Sequence, residues 1–386
     1  MHSSSLNHQY RLVWSDAAQS LVAVAENTKG RGKQSRSGRA ARLVSALMVS
    51  GAFSAAAAGD LPTGGQIVGG TGSISQSGNV MTINQGSAKM AADWQSFNIG
   101  AGNTVNFVQP SASSVALNRV LGSDVSVIQG ALNANGQVFL INPNGVLFTP
   151  TAKVNVGGLI ASTLSLSTAD FMAGNYQFEG SSINAIINQG RIKAMGDGDA
   201  GGKGGTIALI AAKITNTGTL TANQGNVLLG AGSKVTLDLG GPVKLQVEQG
   251  AIDALIEQGG AIKADGGLVY LSAQAANLLV TTVINHTGIT EAQTLATGEK
   301  GEIYLMGGMA KDRIVVGHKL DASAPNGGNG GFIETSAAHV KIADDVKVTT
   351  AATNGKTGTW LIDPVDFTIA SSSGDITGTA LGGLLA

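Results

Sequence analysis

Cysteine is absent from this chain of 386 residues, so no disulfide can staple it. Aromatic residues are scarce, with nine Phe, four Tyr and three Trp, and charged residues make up only 13%. Long helices are not expected, because much of the chain is Gly, Thr, Asn and Val, which are poor helix formers. Disorder is excluded as well: 43% hydrophobic residues and a net charge of −1 are the opposite of the composition that keeps chains unfolded. What the chain has in excess is glycine, 56 residues, or about twice the usual ~7%. Many short strands separated by Gly, Asn and Asp turns fit these facts.

The small net charge hides a split. Residues 1–58 carry seven Lys or Arg against Asp16 and Glu26 (7 − 2 = +5), and the remainder carries 17 against 23 acids (17 − 23 = −6). A mildly acidic body predicts no basic face, and no nucleic-acid partner.

Residues 1–58 read as an address. An apolar run from Leu43 to Phe53 follows a basic stretch and ends in Ala56-Ala57-Ala58, which satisfies the small-residue cleavage pattern. The run is too short to span a bilayer. Cleavage after Ala58 leaves Gly59 as the mature N-terminus, so the cleavage site involves Ala56, Ala58 and Gly59. The ordinary signal occupies 35–58, and an extra segment, 6–34, precedes it. For an exported chain the lack of Cys gains meaning, since cross-links would obstruct passage through a second membrane in the unfolded state.

From Ile67 onward two phrases recur. One is Asn/Gln-x-Gly-x-(Ile/Leu)-x-Ala, at Asn188–Ala194 and Asn216–Ala222, with variants at Gln258–Ala264 and Asn285–Ala292. The other is Gly-x-(Ile/Val)-x-Leu, at Gly205–Leu209, Gly225–Leu229, Gly267–Leu271 and Gly301–Leu305. Each alternates apolar and polar residues as a strand with one buried face requires. The first phrase places Ile192, Leu220, Ile262 and Ile289 in equivalent positions, 28, 42 and 27 residues apart. Repetition at 20–50 residues predicts a solenoid. Its narrow interior suits Ala and Val, which explains the few aromatics. Coils of 20–25 residues would number roughly 13–15 and, at ~4.8 Å each, form a rod of about 60–75 Å. Excursions are expected at Thr168–Phe178 and at Gln249–Gln258, the latter as a helical turn carrying Ile252, Leu255 and Ile256.

Asn142-Pro143-Asn144-Gly145 stands between two apolar stretches, Val138–Ile141 and Val146–Phe148. Pro presets φ and Asn-Gly takes positive φ readily, so the tetrapeptide predicts a tight turn. The stretches around it carry a resemblance. Asn106-Phe107, Gln109–Ala112, Leu117–Val120, Asn135–Gly145 and Val154–Thr163 are similar to the N-terminal secretion domain of two-partner-secretion exoproteins, the filamentous haemagglutinins and high-molecular-weight adhesins. Upstream, Tyr10–Ser15, Val22–Glu26 and Lys29–Lys33 resemble the extended signal-peptide region of large exported proteins; Leu6 stands where that family usually has Met, which makes codon 6 a candidate start. The likeness runs from Tyr10 to Ile369, with Gly358–Phe367 similar to stretches downstream of such domains.

The resemblance implies an all-β fold, a right-handed parallel β-helix with small extra-helical hairpins and loops, over a secretion domain at 59–310 and continuing coils at 311–386. It implies a secreted or cell-surface protein reached through the periplasm and outer membrane. Its partners would be the inner-membrane general secretion machinery and an outer-membrane transporter with POTRA domains, with host-cell glycans or receptors as further candidates. Asn142, Pro143, Asn144 and Gly145 are carried over as the secretion motif. The Asn-Pro-Asn-Leu motif of the haemagglutinin branch is missing; Asn118 and Arg119 stand in its place, as in the adhesin branch, and are candidate transporter-recognition residues. The chain is expected to be a fragment of a longer protein.

β-helices also host enzymes that act on polysaccharides, which need clustered carboxylates. Here the acids look scattered singly, apart from Asp344-Asp345 and Asp363/Asp366 at strand ends. Gly196–Gly201 matches a G-x-G-x-x-G pattern without a following helix and reads as a solvated turn. His2, His8, His286, His318 and His339 are isolated, with no second ligand at metal spacing. No catalytic residue, metal site or cofactor is expected. The competing readings are a polysaccharide-active β-helix enzyme and a free-standing carbohydrate- or cell-binding module.

Overall fold

The structure is a computed structural model that describes residues 10–15, 20–25, 61–196, 204–240, 244–276, 279–372 and 374–385. The chain divides into two units, Met1–Ala52 and Phe53–Ala386. In the first, Tyr10–Ser15 and Ser20–Ala25 pair as an antiparallel hairpin. Ala56, Ala58, Gly59 and the 197–201 part of the Gly/Asp loop lie outside the described residues.

Among the described residues of the second unit, three sheets wrap one core. Sheet 1 has eleven strands, from Gln66–Gly69 to Thr359–Asp363. Sheet 2 has eight, from Ser126–Ile128 to His339–Ile342. Sheet 3 has eleven, from Gly72–Ser77 to Lys347–Thr349. Each coil visits them in the order 1, 2, 3, as in Gln137–Ile141, Val146–Phe148 and Lys153–Val156. Successive coils pair in parallel, so the fold is the expected parallel β-helix. The first rungs differ: Gln66–Gly69 and Gly72–Ser77 pair antiparallel and close the N-terminal end over Met81, Ile83 and Trp94. At the other end, Ala380, Leu381 and Leu384 of the helix Gly378–Leu385 pack against the core.

With the isolated Ile99–Ile128 bridge counted as the first position of sheet 2, nine complete coils (8 + 1) stack among the described residues. That is fewer than the 13–15 expected, and the stack is ~43 Å long at ~4.8 Å per coil. The coils are longer than assumed, averaging 30 residues (270/9 from Lys89 to Thr359), because two of them carry large excursions. The first contains the helix Thr168–Ala173 and the strand Tyr176–Glu179, where an excursion was expected. The second supplies strands Lys234–Leu237 and Leu245–Gln249, and it accounts for the 42-residue repeat. The helical turn expected at Gln249–Gln258 is instead a tight turn at 252–253 and a coil strand, Leu255–Gln258.

The excursion strands form an antiparallel sheet on the outer face of sheet 1. Between them lies a second core in which Phe139, Ile160, Ala208 and Leu228 of the coils meet Phe171, Phe178, Val235 and Leu245. Phe139 lies edge-on to Phe171 at 5.5 Å between ring centroids, a favoured aromatic geometry. Sheet 1 is therefore apolar on both faces over these coils, which its strands show as unbroken apolar runs such as Ile207–Ala211.

The repeat phrases stack in register. Ile207, Val227, Val269, Ile303 and Ile333 form one buried column. Another is Ile192, Leu220, Ile262, Thr290 and Leu320, so the equivalent of Ile262 is Thr290 and not Ile289. Thr290 is tolerated inside because its hydroxyl bonds the Nε2 of His286 at 2.9 Å. Glycine stacks too. A Cβ on Gly225 would lie 2.0 Å from the carbonyl oxygen of Gly205, and one on Gly267 would lie 2.1 Å from that of Gly225. From Gly205 to Gly267 the corner between sheets 3 and 1 thus admits no side chain, which accounts for part of the glycine excess.

Candidate functional site

The Asn142–Gly145 turn joins sheet 1 to sheet 2 in the third coil. Pro143 needs no donor there, and Gly145 takes φ 111°, a region open chiefly to glycine. The turn closes through Gly145 N–H to the Asn142 carbonyl at 3.0 Å, and the Asn142 Oδ1 accepts from the Asn144 backbone N–H at 2.9 Å.

The side chains then reach both neighbouring coils. Asn142 Nδ2 donates to the Asp124 carbonyl at 2.9 Å and to Ser126 Oγ at 3.0 Å. Asn144 Nδ2 donates to the Gly122 carbonyl at 2.8 Å. On the other side, the Pro143 carbonyl accepts from Ser182 Oγ at 2.7 Å and from Asn184 Nδ2 at 2.9 Å. Asn142 is 0% exposed. The motif is therefore a clamp across three successive coils, and its key amide faces inward.

Asn118 and Arg119 are placed differently. Asn118 is also 0% exposed; it accepts from the Trp94 indole at 3.0 Å and donates to the Phe139 carbonyl at 3.2 Å. Trp94 stands edge-on to Phe97 at 5.4 Å at the N-terminal end of the core. Arg119 faces outward and grips Asp93 on the adjacent strand through two bonds, 2.8 and 2.9 Å, in the fork geometry that strengthens such pairs. Of the six residues, Asn118 and Asn142 offer no surface in the folded domain.

Two polar arrays are assembled only by the stacking of the coils. The first is a buried column along sheet 2. Asn188 donates to Asn216 at 2.7 Å, Asn216 donates to Gln258 at 2.7 Å, and His286 occupies the next rung. All four are 0% exposed. His286 Nδ1 bonds the Gly317 carbonyl at 2.9 Å, and burial lowers its pKa to about 4, so the ring is neutral at pH 7. A signal was nonetheless present: these residues hold the first position of the Asn/Gln-x-Gly phrase or, for His286, the position next to it.

The second array corrects the expectation of scattered acids. Register gathers Asp265, Glu291 and Asp321 on the outer face of sheet 3 and interleaves them with lysines. Lys263 meets Asp265 at 3.0 Å, and Lys319 meets Glu291 at 2.8 Å and Asp321 at 3.0 Å. Burial pushes the Asp321 carboxyl up, but bonds from Ser323, Gln293 and Lys319 outweigh it and hold it below the ordinary range. Bonds to Glu291 and Asp321 hold the Lys319 ammonium above its ordinary value. Each acid is engaged by a lysine, an arrangement that binds rungs together rather than one poised for proton transfer. Among the described residues no group of three or more His, Asp or Glu is disposed to hold a metal ion.

Comparison with known proteins agrees with this geometry. Residues 54–310 match the family described as TPS secretion domain, and residues 7–55 match the Extended Signal Peptide of Type V secretion system. A heme/hemopexin-binding protein of Haemophilus influenzae is 35% identical over 271 residues, 69% of this chain and 29% of the relative. A second one from that organism is 30% identical over 331 residues, 80% of this chain and 34% of the relative. The chain spans about a third of the length of these relatives. The crystal structure of the HMW1 secretion domain from Haemophilus influenzae superposes with a TM-score of 0.67 at 27% identity, covering 78% of this chain and 76% of that one.

Proposed function

We propose, from the premise that this chain belongs to the TPS secretion domain family of two-partner-secretion exoproteins, that its coils are the export signal and the folding nucleus of the exoprotein. The family is one of secretion domains and not of enzymes. With its extended signal peptide the chain is exported across the outer membrane to a secreted or surface-exposed state, through a partner outer-membrane transporter.

Export then proceeds in stages. The inner-membrane general secretion machinery delivers the chain, and cleavage after Ala58 frees it. The periplasmic POTRA domains of the transporter take hold of it while it is unfolded, it threads the barrel, and it folds outside. The burial of Asn142 carries this reading. Every polar atom of that amide is consumed within the folded coils, so a transporter that reads the Asn142–Gly145 motif meets it before the coils close. The closed N-terminal end gives the first coils a finished surface on which later ones stack. Each added coil completes backbone ladders and buries another ring of aliphatic side chains, a downhill step that needs no nucleotide and biases movement outward.

The test is secretion of the chain in cells with and without a POTRA-bearing partner transporter, for wild type and Asn142→Ala. Secretion that requires the transporter, and falls in the variant, supports the proposal. Equal secretion without the transporter overturns it.

A further inference from the structure

The N-terminal half of sheet 3 presents a surface that export does not explain. Over residues 79–84, 104–108, 131–135, 153–156, 191–195 and 219–222, and over the corners 100–103, 129–130, 149–152, 189–190 and 217–218 beside them, there is no acidic residue. Three exposed cations stand on this half-face. Lys153 lies directly opposite Arg191 on adjacent strands, and Lys193 lies two residues further along, opposite Asn155. None of the three has an ion-pair partner among the described residues, whereas Lys263 and Lys319 on the other half of the same sheet are each paired. Directly opposed like charges destabilise a sheet unless an anion compensates them. The −6 balance of the body concealed this patch, because net charge averages over faces.

Beside the cations runs an amide ladder. Asn106, Asn133 and Asn155 occupy successive rungs, and Asn133 Nδ2 donates to Asn106 Oδ1 at 3.0 Å. A depression lies on each side. One, of about 540 Å³, is lined by Thr104, Gln129, Thr151, Lys153 and Arg191. The other, of about 660 Å³, is lined by Thr82, Asn106, Val108, Asn133, Asn155 and Met195, with Val108 exposed at its rim.

We infer that this half-face binds an acidic polysaccharide. The anionic groups sit on Lys153, Arg191 and Lys193, where the Arg fork suits a planar carboxylate. The sugar hydroxyls meet amides and hydroxyls of the ladder and of the first depression, each of which both donates and accepts. The apolar rim at Val108 and Met195 receives the hydrophobic face of a ring. A nucleic acid fits the surface less well, because no exposed aromatic ring stands among these residues for base stacking.

The test is binding of the secreted chain to polygalacturonate, dextran sulfate and neutral dextran, measured by calorimetry at two salt concentrations. The site variant is Lys153→Gln/Arg191→Gln/Lys193→Gln, and a control of equal charge change is Lys311→Gln/Lys347→Gln/Lys356→Gln. All three site residues are exposed, and circular dichroism checks that the coils are intact. Expected are salt-sensitive binding of at least one acidic polymer, at least tenfold loss in the site variant, and less than twofold loss in the control. Asn133→Ala should weaken the same polymer severalfold without altering its salt dependence. The carboxylate and sulfate arms show which anion is preferred. No binding of either acidic polymer, equal loss in both triple variants, neutral dextran binding as tightly, or a DNA oligonucleotide outcompeting the acidic polymers would each overturn the inference.

Discussion

The side-chain amide of Asn142 donates to the hydroxyl of Ser126 at 3.0 Å, joining a turn of the third coil to the coil before it. Neither residue is exposed. Removing the amide strands the Asp124 carbonyl and the Ser126 hydroxyl and releases Asn144, so Asn142→Ala should destabilise the domain by about 2–3 kcal/mol. Urea unfolding should show a lower midpoint with an unchanged slope. Asn142→Asp keeps the acceptor for Asn144 but places a carboxylate against the Asp124 carbonyl, and should be worse than Ala.

Stability should depend on His286 in weak acid. The folded chain holds the ring neutral down to about pH 4, because burial disfavours its charged form, while the unfolded ring titrates near 6.5. Between these values the unfolded state binds more protons. The contribution is therefore complete above pH 6.5 and is lost as pH falls toward 4, by at most about 1.4 kcal/mol per unit. His286→Gln, which continues the amide column from Gln258, should flatten this part of the pH–stability curve. A wild-type curve identical to the variant's between pH 4 and 6.5 contradicts the assignment.

The glycine stack gives a sharper contrast. Gly225→Ala brings a methyl 2.0 Å from a rigid backbone carbonyl and should lower stability by about 1–3 kcal/mol. Gly102 has open space around it but φ 81°, so Gly102→Ala should cost about 1 kcal/mol through backbone strain alone. Thermal denaturation of the two variants side by side separates crowding from strain.

The excursion sheet should be energetically part of the domain and not a loose flap. Phe178 is fully buried between that sheet and the outer face of sheet 1. Phe178→Ala should cost about 3–5 kcal/mol. Unfolding followed by Trp fluorescence and by circular dichroism should remain one coincident transition.

Much of this architecture was legible in the chain. The Gly-x-(Ile/Val)-x-Leu phrase marks sheet 1 at Gly205, Gly225, Gly267 and Gly301, and the Asn/Gln-x-Gly phrase marks the corner from sheet 2 to sheet 3. The coil number was not legible, because Lys234–Leu237 and Leu245–Gln249 alternate like coil strands although they pair antiparallel outside the coils. The turn at Asn142 could be read locally. The inward direction of Asn118 could not, since its partners Trp94 and Phe139 lie more than twenty residues away on either side. Cross-rung register likewise gathers Asp265, Glu291 and Asp321, which look solitary in sequence. The shift from Ile289 to Thr290 has a similar cause, because a polar residue fills an apolar column only where His286 is there to meet it.

The most direct test of export driven by folding is pulse-chase secretion in cells that carry the partner transporter, comparing wild type with Gly225→Val. The larger side chain should prevent rungs from closing at that corner while leaving the signal peptide and the Asn142–Gly145 motif intact. Folding-driven export predicts a chain that reaches the transporter but leaves the cell several times more slowly. Secretion of the variant at the wild-type rate, with its coils shown to be unstacked, would contradict it.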